Sequence, residues 1–184
     1  MFILKNINKT IGGLLLGISS LFPFTNANAQ TVYPDLDSIL TCTQDYMNKN
    51  YSNIIKSNKP IIVSGTQLSP CKLYRSTLND YNLVLGKLVF ENKKTPSAVG
   101  YLVVNKKLND NEVATIKHIA QNSQGFNPGY LDSNYNFITF FQQSTIFEGR
   151  QQEVLMQRET PMPVLKNLVS NPDRVLVLEI IVDN

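Results

Sequence analysis

Several residue types that build catalytic and metal centres are scarce in this sequence of 184 residues, which contains one histidine, two cysteines and no tryptophan. Two cysteines and one histidine cannot complete a four-ligand structural zinc site without carboxylates, so we expect no structural metal. The sequence also lacks His-Glu-x-x-His, Gly-x-Ser-x-Gly, a glycine-rich phosphate loop and EF-hand spacing. We therefore expect no cofactor, and several large enzyme families are excluded.

The N-terminal segment, residues 1–29, has the order of regions that is typical of a secretory signal peptide. A positively charged start precedes an apolar stretch at residues 12–21, which is too short to cross about 30 Å of hydrocarbon as a helix. Pro23 then breaks the helix, and Ala27 and Ala29 supply small residues before the expected cleavage site. The alternative is a short membrane anchor or a buried N-terminal helix. We predict cleavage after Ala29.

Cleavage there would leave residues 30–184 as a single exported domain, located in a periplasm or outside the cell. Because no later apolar run reaches membrane-spanning length, we expect no membrane span after the signal is removed. Loss of Lys5 and Lys9 would lower the formal net charge from +3 to +1. A domain that neutralises phosphates needs a concentrated positive surface, so we expect no nucleic-acid partner.

Cys42 and Cys71 are the only thiols in the sequence. In an oxidising compartment an even number of cysteines favours a disulfide, and we predict a Cys42–Cys71 bridge. The alternative is a redox or nucleophilic cysteine, but these two residues do not have the Cys-x-x-Cys spacing of a redox pair. Two alkylatable thiols in the native protein would contradict the bridge.

The spacing of apolar residues predicts two main helices. Between residues 36 and 47 they recur every three or four positions, which indicates an amphipathic helix. A second helix is predicted to begin at Asn109 or Asp110, because Asn109 and Glu112 have the spacing of a capping box. The expected buried face of the second helix is Val113, Ile116, Ile119 and Ala120. Strands are predicted at 61–64, 83–90, 98–104, 135–141 and 154–157.

The C-terminal part is predicted to form a short third helix, started by Thr160 and Pro161, and then a strand over Val175–Val182. That strand is apolar on both faces except at Glu179, which is typical of a central strand. The whole pattern predicts a single α+β domain with a mostly antiparallel sheet. We expect the two main helices to pack on one face of this sheet.

Residues 122–136 are rich in Asn, Ser, Gly, Pro and aromatic residues and show no clear periodicity. Loops of this length without secondary structure are uncommon inside compact domains and are often functional. We therefore predict a ligand-binding loop at Phe126, Tyr130, Asp132 and Tyr135, suited to a neutral polymer or a protein. The alternative is that the aromatic residues of this region belong to the core.

Two carboxylates and the single histidine are the candidates for acid–base chemistry. Glu179 interrupts an apolar strand, where burial would favour its protonated form. We favour the interpretation that places Glu179 near the rim of the sheet, paired with a lysine or arginine. Asp132 is the second candidate acid. His118 falls opposite the apolar face of the second helix, so we expect a surface histidine.

Two functions are compatible with this pattern. The first is a small, exported, non-enzymatic domain that binds a protein partner or an envelope polymer. The alternative is a cell-envelope hydrolase that uses carboxylates such as Glu179 and Asp132. Two carboxylates converging on one cleft would favour the enzyme, and an aromatic patch would favour the binding domain.

Overall fold

The computed structural model describes residues 36–68, 81–121 and 125–184. It confirms the predicted α+β class: the described residues form two α-helices and one antiparallel sheet of seven strands. The helices are α1 (Leu36–Lys56) and α2 (Asp110–Ala120). The strands are β1 (Ile61–Ser64), β2 (Tyr81–Leu88), β3 (Ser97–Lys107), β4 (Phe126–Leu131), β5 (Asn136–Phe147), β6 (Arg150–Pro161) and β7 (Val175–Val182).

The strand order is β1-β2-β3-β7-β4-β5-β6, so β7 lies at the centre of the sheet. This confirms the position that its apolar sequence predicts. A strand with neighbours on both sides and packing on both faces buries nearly every side chain, and seven of the eight residues of β7 are buried. The edges of the sheet are β1 and β6.

Both helices contribute to the same hydrophobic cluster on one face of the sheet, which we call the helical face. Helix α1 places Ile39, Met47 and Ile54 there, at the spacing that its sequence predicts. Helix α2 begins with the predicted capping box, in which Asn109 and Glu112 each accept a hydrogen bond from the other's backbone N–H. The residues that α2 buries are Ile116, Ile119 and Ala120.

The opposite face, which we call the open face, carries a second hydrophobic cluster around Phe137, Leu165 and Val177. Its cover includes a short 3-10 helix, Pro163–Asn167. The third helix predicted from the sequence is present but begins later than expected, because Thr160 and Pro161 still pair with Phe137 and Asn136 of β5.

The prediction of an unstructured stretch over residues 122–136 is wrong, because Phe126–Leu131 forms strand β4. Asn127, Pro128 and Gly129 all have low β-propensity, and pairing along β7 overrides that preference. Strand β5 pairs with β4 only from Gly129 onward, so the missing N–H of Pro128 interrupts no β4–β5 pairing.

Strands β5 and β6 form a long hairpin that extends beyond the neighbouring strand β4. They pair continuously from Asn136↔Pro161 to Phe147↔Arg150, whereas β4 pairs only with residues 137–139 of β5. Glu148 and Gly149 connect the strands with φ values of 49° and 72°, as a two-residue type I′ turn requires. We call residues 142–155 the arm.

Three predictions concern parts of the chain outside the described residues: the signal peptide, its cleavage site, and the Cys71 half of the proposed disulfide. These stay predictions. Within the described ranges, neither helix is long and apolar enough to cross a membrane.

Candidate functional site

A cluster of polar side chains lies on the open face around Glu179, which is only 1% exposed. The register places Tyr101 of β3 on one side of Glu179 and Asn127 of β4 on the other. The Asn127 Nδ2 atom donates to Glu179 Oε1 at 2.9 Å, and the Tyr101 hydroxyl donates to the same carboxylate. We call Glu179, Tyr101, Asn127 and Arg158 the Glu179 cluster.

Arg158 reaches Glu179 from the edge strand β6. Its Nη2 atom lies 2.7 Å from Glu179 Oε1 and 2.5 Å from Oε2, and its guanidinium carbon lies 5.6 Å from the centroid of the Phe141 ring. This ion pair neutralises a carboxylate that would otherwise be costly to bury. It also ties the base of the β5–β6 hairpin to the central strand. The sequence predicted a cationic partner for Glu179, but a rim position is wrong.

Burial, followed by the nearby negative charge of Glu179, raises the pKa of Tyr101 to about 12. The folded protein holds the Tyr101 hydroxyl proton more tightly than the unfolded chain does. The stability linked to this proton is therefore present below about pH 10 and is lost as pH rises toward about 12. We expect the free energy of unfolding to fall over this interval. Urea titrations at a series of alkaline pH values measure the fall.

The control for this prediction is Tyr101→Phe, which removes the titrating hydroxyl while keeping the ring. Its free energy of unfolding should decline less over the same pH interval. An identical decline in the two proteins would assign the effect to other groups.

Thr139 of β5 lies beside this cluster on the open face and is completely buried. Its hydroxyl has no hydrogen-bond partner among the described residues. A buried unpaired hydroxyl costs about 1–3 kcal/mol, and valine has nearly the same shape. We expect Thr139→Val to raise the free energy of unfolding by about 1 kcal/mol, measured by urea denaturation. Destabilisation would indicate that the hydroxyl has an unrecognised partner.

The predicted ligand-binding residues do not form one surface. Phe126 and Tyr130 are half-buried and pack on the helical cluster, with the Tyr130 ring 6.1 Å from that of Phe140. Tyr135 packs on the open-face cluster and donates its hydroxyl to the Val169 carbonyl at 3.0 Å. The sheet therefore separates Phe126 and Tyr130 from Tyr135.

Asp132 has a local structural role in the turn between β4 and β5. Its Oδ1 atom accepts backbone N–H groups from Asn134 at 2.9 Å and from Asn136 at 2.8 Å. Short polar side chains commonly stabilise turns in this way. The side chain of Asp132 is thus engaged in holding the β4–β5 connection.

Comparison with known proteins assigns no family. No family model, no curated protein and no solved structure matches this chain.

The two candidate acids, Glu179 and Asp132, do not converge. Asn127, which opposes Glu179, precedes Asp132 by five residues, a backbone separation of about 16 Å along an extended strand. Paired carboxylates that hydrolyse glycosides lie about 5–9.5 Å apart. His118 is exposed, as predicted. In the described part of the chain, no group of three or more His, Cys, Asp and Glu side chains could hold a metal ion.

The arm carries exposed apolar side chains, and none of them was among the binding residues predicted from the sequence. At its tip, Ile146 is 79% exposed and Phe147 is 58% exposed. Closer to the sheet, Val154 of the arm and the adjoining Met156 are also exposed. A signal was present in the sequence, since residues 142–145 and 150–153 are all polar and offer no face that a core could bury.

Proposed function

We propose that this chain is an exported, non-enzymatic interaction domain that binds a protein partner through the arm. The observation that carries the proposal is the exposure of the arm. The arm extends beyond β4, and among the described residues the outer edge of β6 is unpaired. Its tip exposes Ile146 and Phe147. Isolated two-stranded hairpins are marginally stable in water. An exposed hairpin with an apolar tip is therefore expected to gain stability when a partner packs against it.

A protein fits this surface better than a neutral polymer does. An exposed strand edge presents a row of backbone N–H and C=O groups that another polypeptide strand can pair with. Apolar side chains beside that edge add the burial that such pairing needs for affinity. Because Glu179 is held by Arg158, Asn127 and Tyr101 and does not converge with Asp132, the geometry offers less support to a hydrolase that uses these two carboxylates.

The proposal is tested by photo-crosslinking in extracts of the protein's own host. A photoreactive amino acid replaces Gln152 on the arm in one variant. In a matched control it replaces Ile62 on β1, the opposite edge strand, which is also exposed. We expect a discrete protein adduct from position 152 and none from position 62. Adducts are identified by peptide mass spectrometry.

A second variant tests the contribution of the tip. Ile146→Ser combined with Phe147→Ser removes apolar surface that is already exposed, so the fold should be retained, as far-ultraviolet circular dichroism would verify. We expect at least about a fivefold lower adduct yield from position 152, since buried aromatic anchors dominate interface energies. The same adducts from positions 152 and 62 would contradict the proposal, and equal yields would assign the binding to the edge of β6 rather than to the tip.

A further inference from the structure

The outer edge of β6 lacks most of the features that protect edge strands. Natural edge strands are short, bulged, or carry proline and charged side chains, especially lysine. Strand β6 has twelve residues and a continuous register with β5. It contains no lysine, and its single proline is the last residue, Pro161.

The turn of the hairpin determines which backbone groups of β6 point outward. In a two-residue hairpin the pair that closes the turn, here Phe147 and Arg150, exchanges both hydrogen bonds. Even-numbered residues of β6 therefore bond to β5. The odd-numbered residues from Gln151 to Glu159 direct their N–H and C=O groups away from the sheet.

We propose that β6 pairs in antiparallel orientation with β6 of a second copy of this chain, around a two-fold axis at Leu155. The two seven-stranded sheets then become one continuous sheet. This inference rests on the proposed function, since it names the partner that the arm binds. With Leu155 opposite itself, the outward backbone groups of residues 151–159 form about ten intermolecular hydrogen bonds.

Charge excludes the two registers on either side of this one. When two copies pair in antiparallel orientation about a two-fold axis perpendicular to the sheet, each face of the combined sheet stays continuous. The axis then passes through a residue that lies opposite itself, and every other pair of opposed residues shares a face. An axis at Val154 opposes Arg150 to Arg158, and an axis at Met156 opposes Glu153 to Glu159. Like charges directly opposite destabilise a sheet. The axis at Leu155 opposes no like charges: its pairs are 150/160, 151/159, 152/158, 153/157 and 154/156.

The same register joins exposed apolar side chains. Val154 and Met156 are 38% and 39% exposed and lie on the open face, where they oppose Gln143 and Phe141 of β5. Around Leu155, Val154 of each copy lies directly opposite Met156 of the other, so the contact occurs twice. Cross-strand apolar pairs of this kind are the units of sheet stabilisation. Strand β6 has two arginines and two glutamates, so no net charge opposes association.

Sedimentation velocity of the purified protein over a range of concentrations tests the inference. We expect a reversible monomer–dimer equilibrium. Val154→Lys with Met156→Lys places like charges opposite each other at both contacts, and we expect at least about a tenfold higher dimer dissociation constant. The matched control is Ile62→Lys, which adds a lysine to the other edge strand at an exposed position and should leave the constant unchanged.

Charge reversal tests the register itself. In Val154→Lys with Met156→Glu, each introduced lysine faces an introduced glutamate of the other copy, and we expect dimerisation to recover. Equal dissociation constants for the two double variants would overturn the register around Leu155. A wild-type protein that stays monomeric at all concentrations overturns the inference. If that monomer still gives arm-specific adducts with a different protein, the proposed function stands. If it gives none, both fail.

Discussion

Replacing Arg158 by methionine is expected to lower the free energy of unfolding by about 3 kcal/mol. The substitution leaves Glu179, which is 1% exposed, as a buried carboxylate without its cation. Removing one partner of a buried ion pair costs about 3–5 kcal/mol. The lower value applies here, because the Arg158 side chain is 40% exposed and Asn127 still donates to Glu179. Urea denaturation at neutral pH measures the difference.

The matched control for this prediction is Arg150→Met, which removes an exposed arginine from the same strand and should change stability by less than about 0.5 kcal/mol. Combining Arg158→Met with Glu179→Gln removes the unpaired negative charge at position 179 while keeping a side-chain oxygen that accepts hydrogen bonds. We expect the double variant to recover about 2 kcal/mol of the loss. A double variant no more stable than the single one would contradict the ion-pair account.

Gly129→Ala is expected to destabilise the protein by about 3 kcal/mol. Gly129 lies in β4 between β7 and β5. A Cβ atom there would overlap the backbone carbonyl oxygen of Ile138 and lie 2.8 Å from Cε2 of Phe137, a ring in the open-face core. Overpacking typically costs about 1–3 kcal/mol, and the upper value applies because a paired backbone cannot move aside as a side chain can. Thermal and urea unfolding measure the loss.

Gly86→Ala provides the control for Gly129→Ala within the same sheet. A Cβ atom at Gly86 of β2 would meet only Val99 Cγ1, at 4.0 Å, which is ordinary contact. Since glycine in a strand costs conformational entropy, we expect this variant to match the wild type or to be about 0.5 kcal/mol more stable. Similar losses of stability in the two variants would show that close contacts around Gly129 are not the reason for glycine at this position of β4.

The parts of the fold that could be predicted are those where sequence pattern and burial agree. Strand β7 is apolar on both faces, and the structure gives it two neighbours and two covered faces. Helix α2 begins at a polar residue that stabilises its first turn, so Asn109 predicted its start. In both cases the signal lies within a short stretch of chain and needs no knowledge of distant residues.

Strand β4 and the Glu179 cluster could not be predicted, because both depend on distant partners. Residues 127–129 form a strand only because β7, about 50 residues later, pairs with them. The position of Glu179 in an apolar strand suggested a cationic partner. That this partner is Arg158 depends on the β5–β6 hairpin, which lies next to β4 in the sheet. The arm lacks the aromatic-rich pattern on which the predicted site was based: it is mostly polar, and its exposed apolar residues are Ile146, Phe147 and Val154.

The central position of β7 constrains the order in which the sheet can assemble. Strands β1–β3 form one antiparallel group and β4–β6 another, and in the described sheet the two groups are joined through β7 alone. Because β7 follows all six other strands in the chain, neither group can dock against the other until β7 has been synthesised and inserted. Such non-local pairing slows folding. A ribosome-bound chain that lacks β7 should therefore remain open to proteolysis between its two groups of strands.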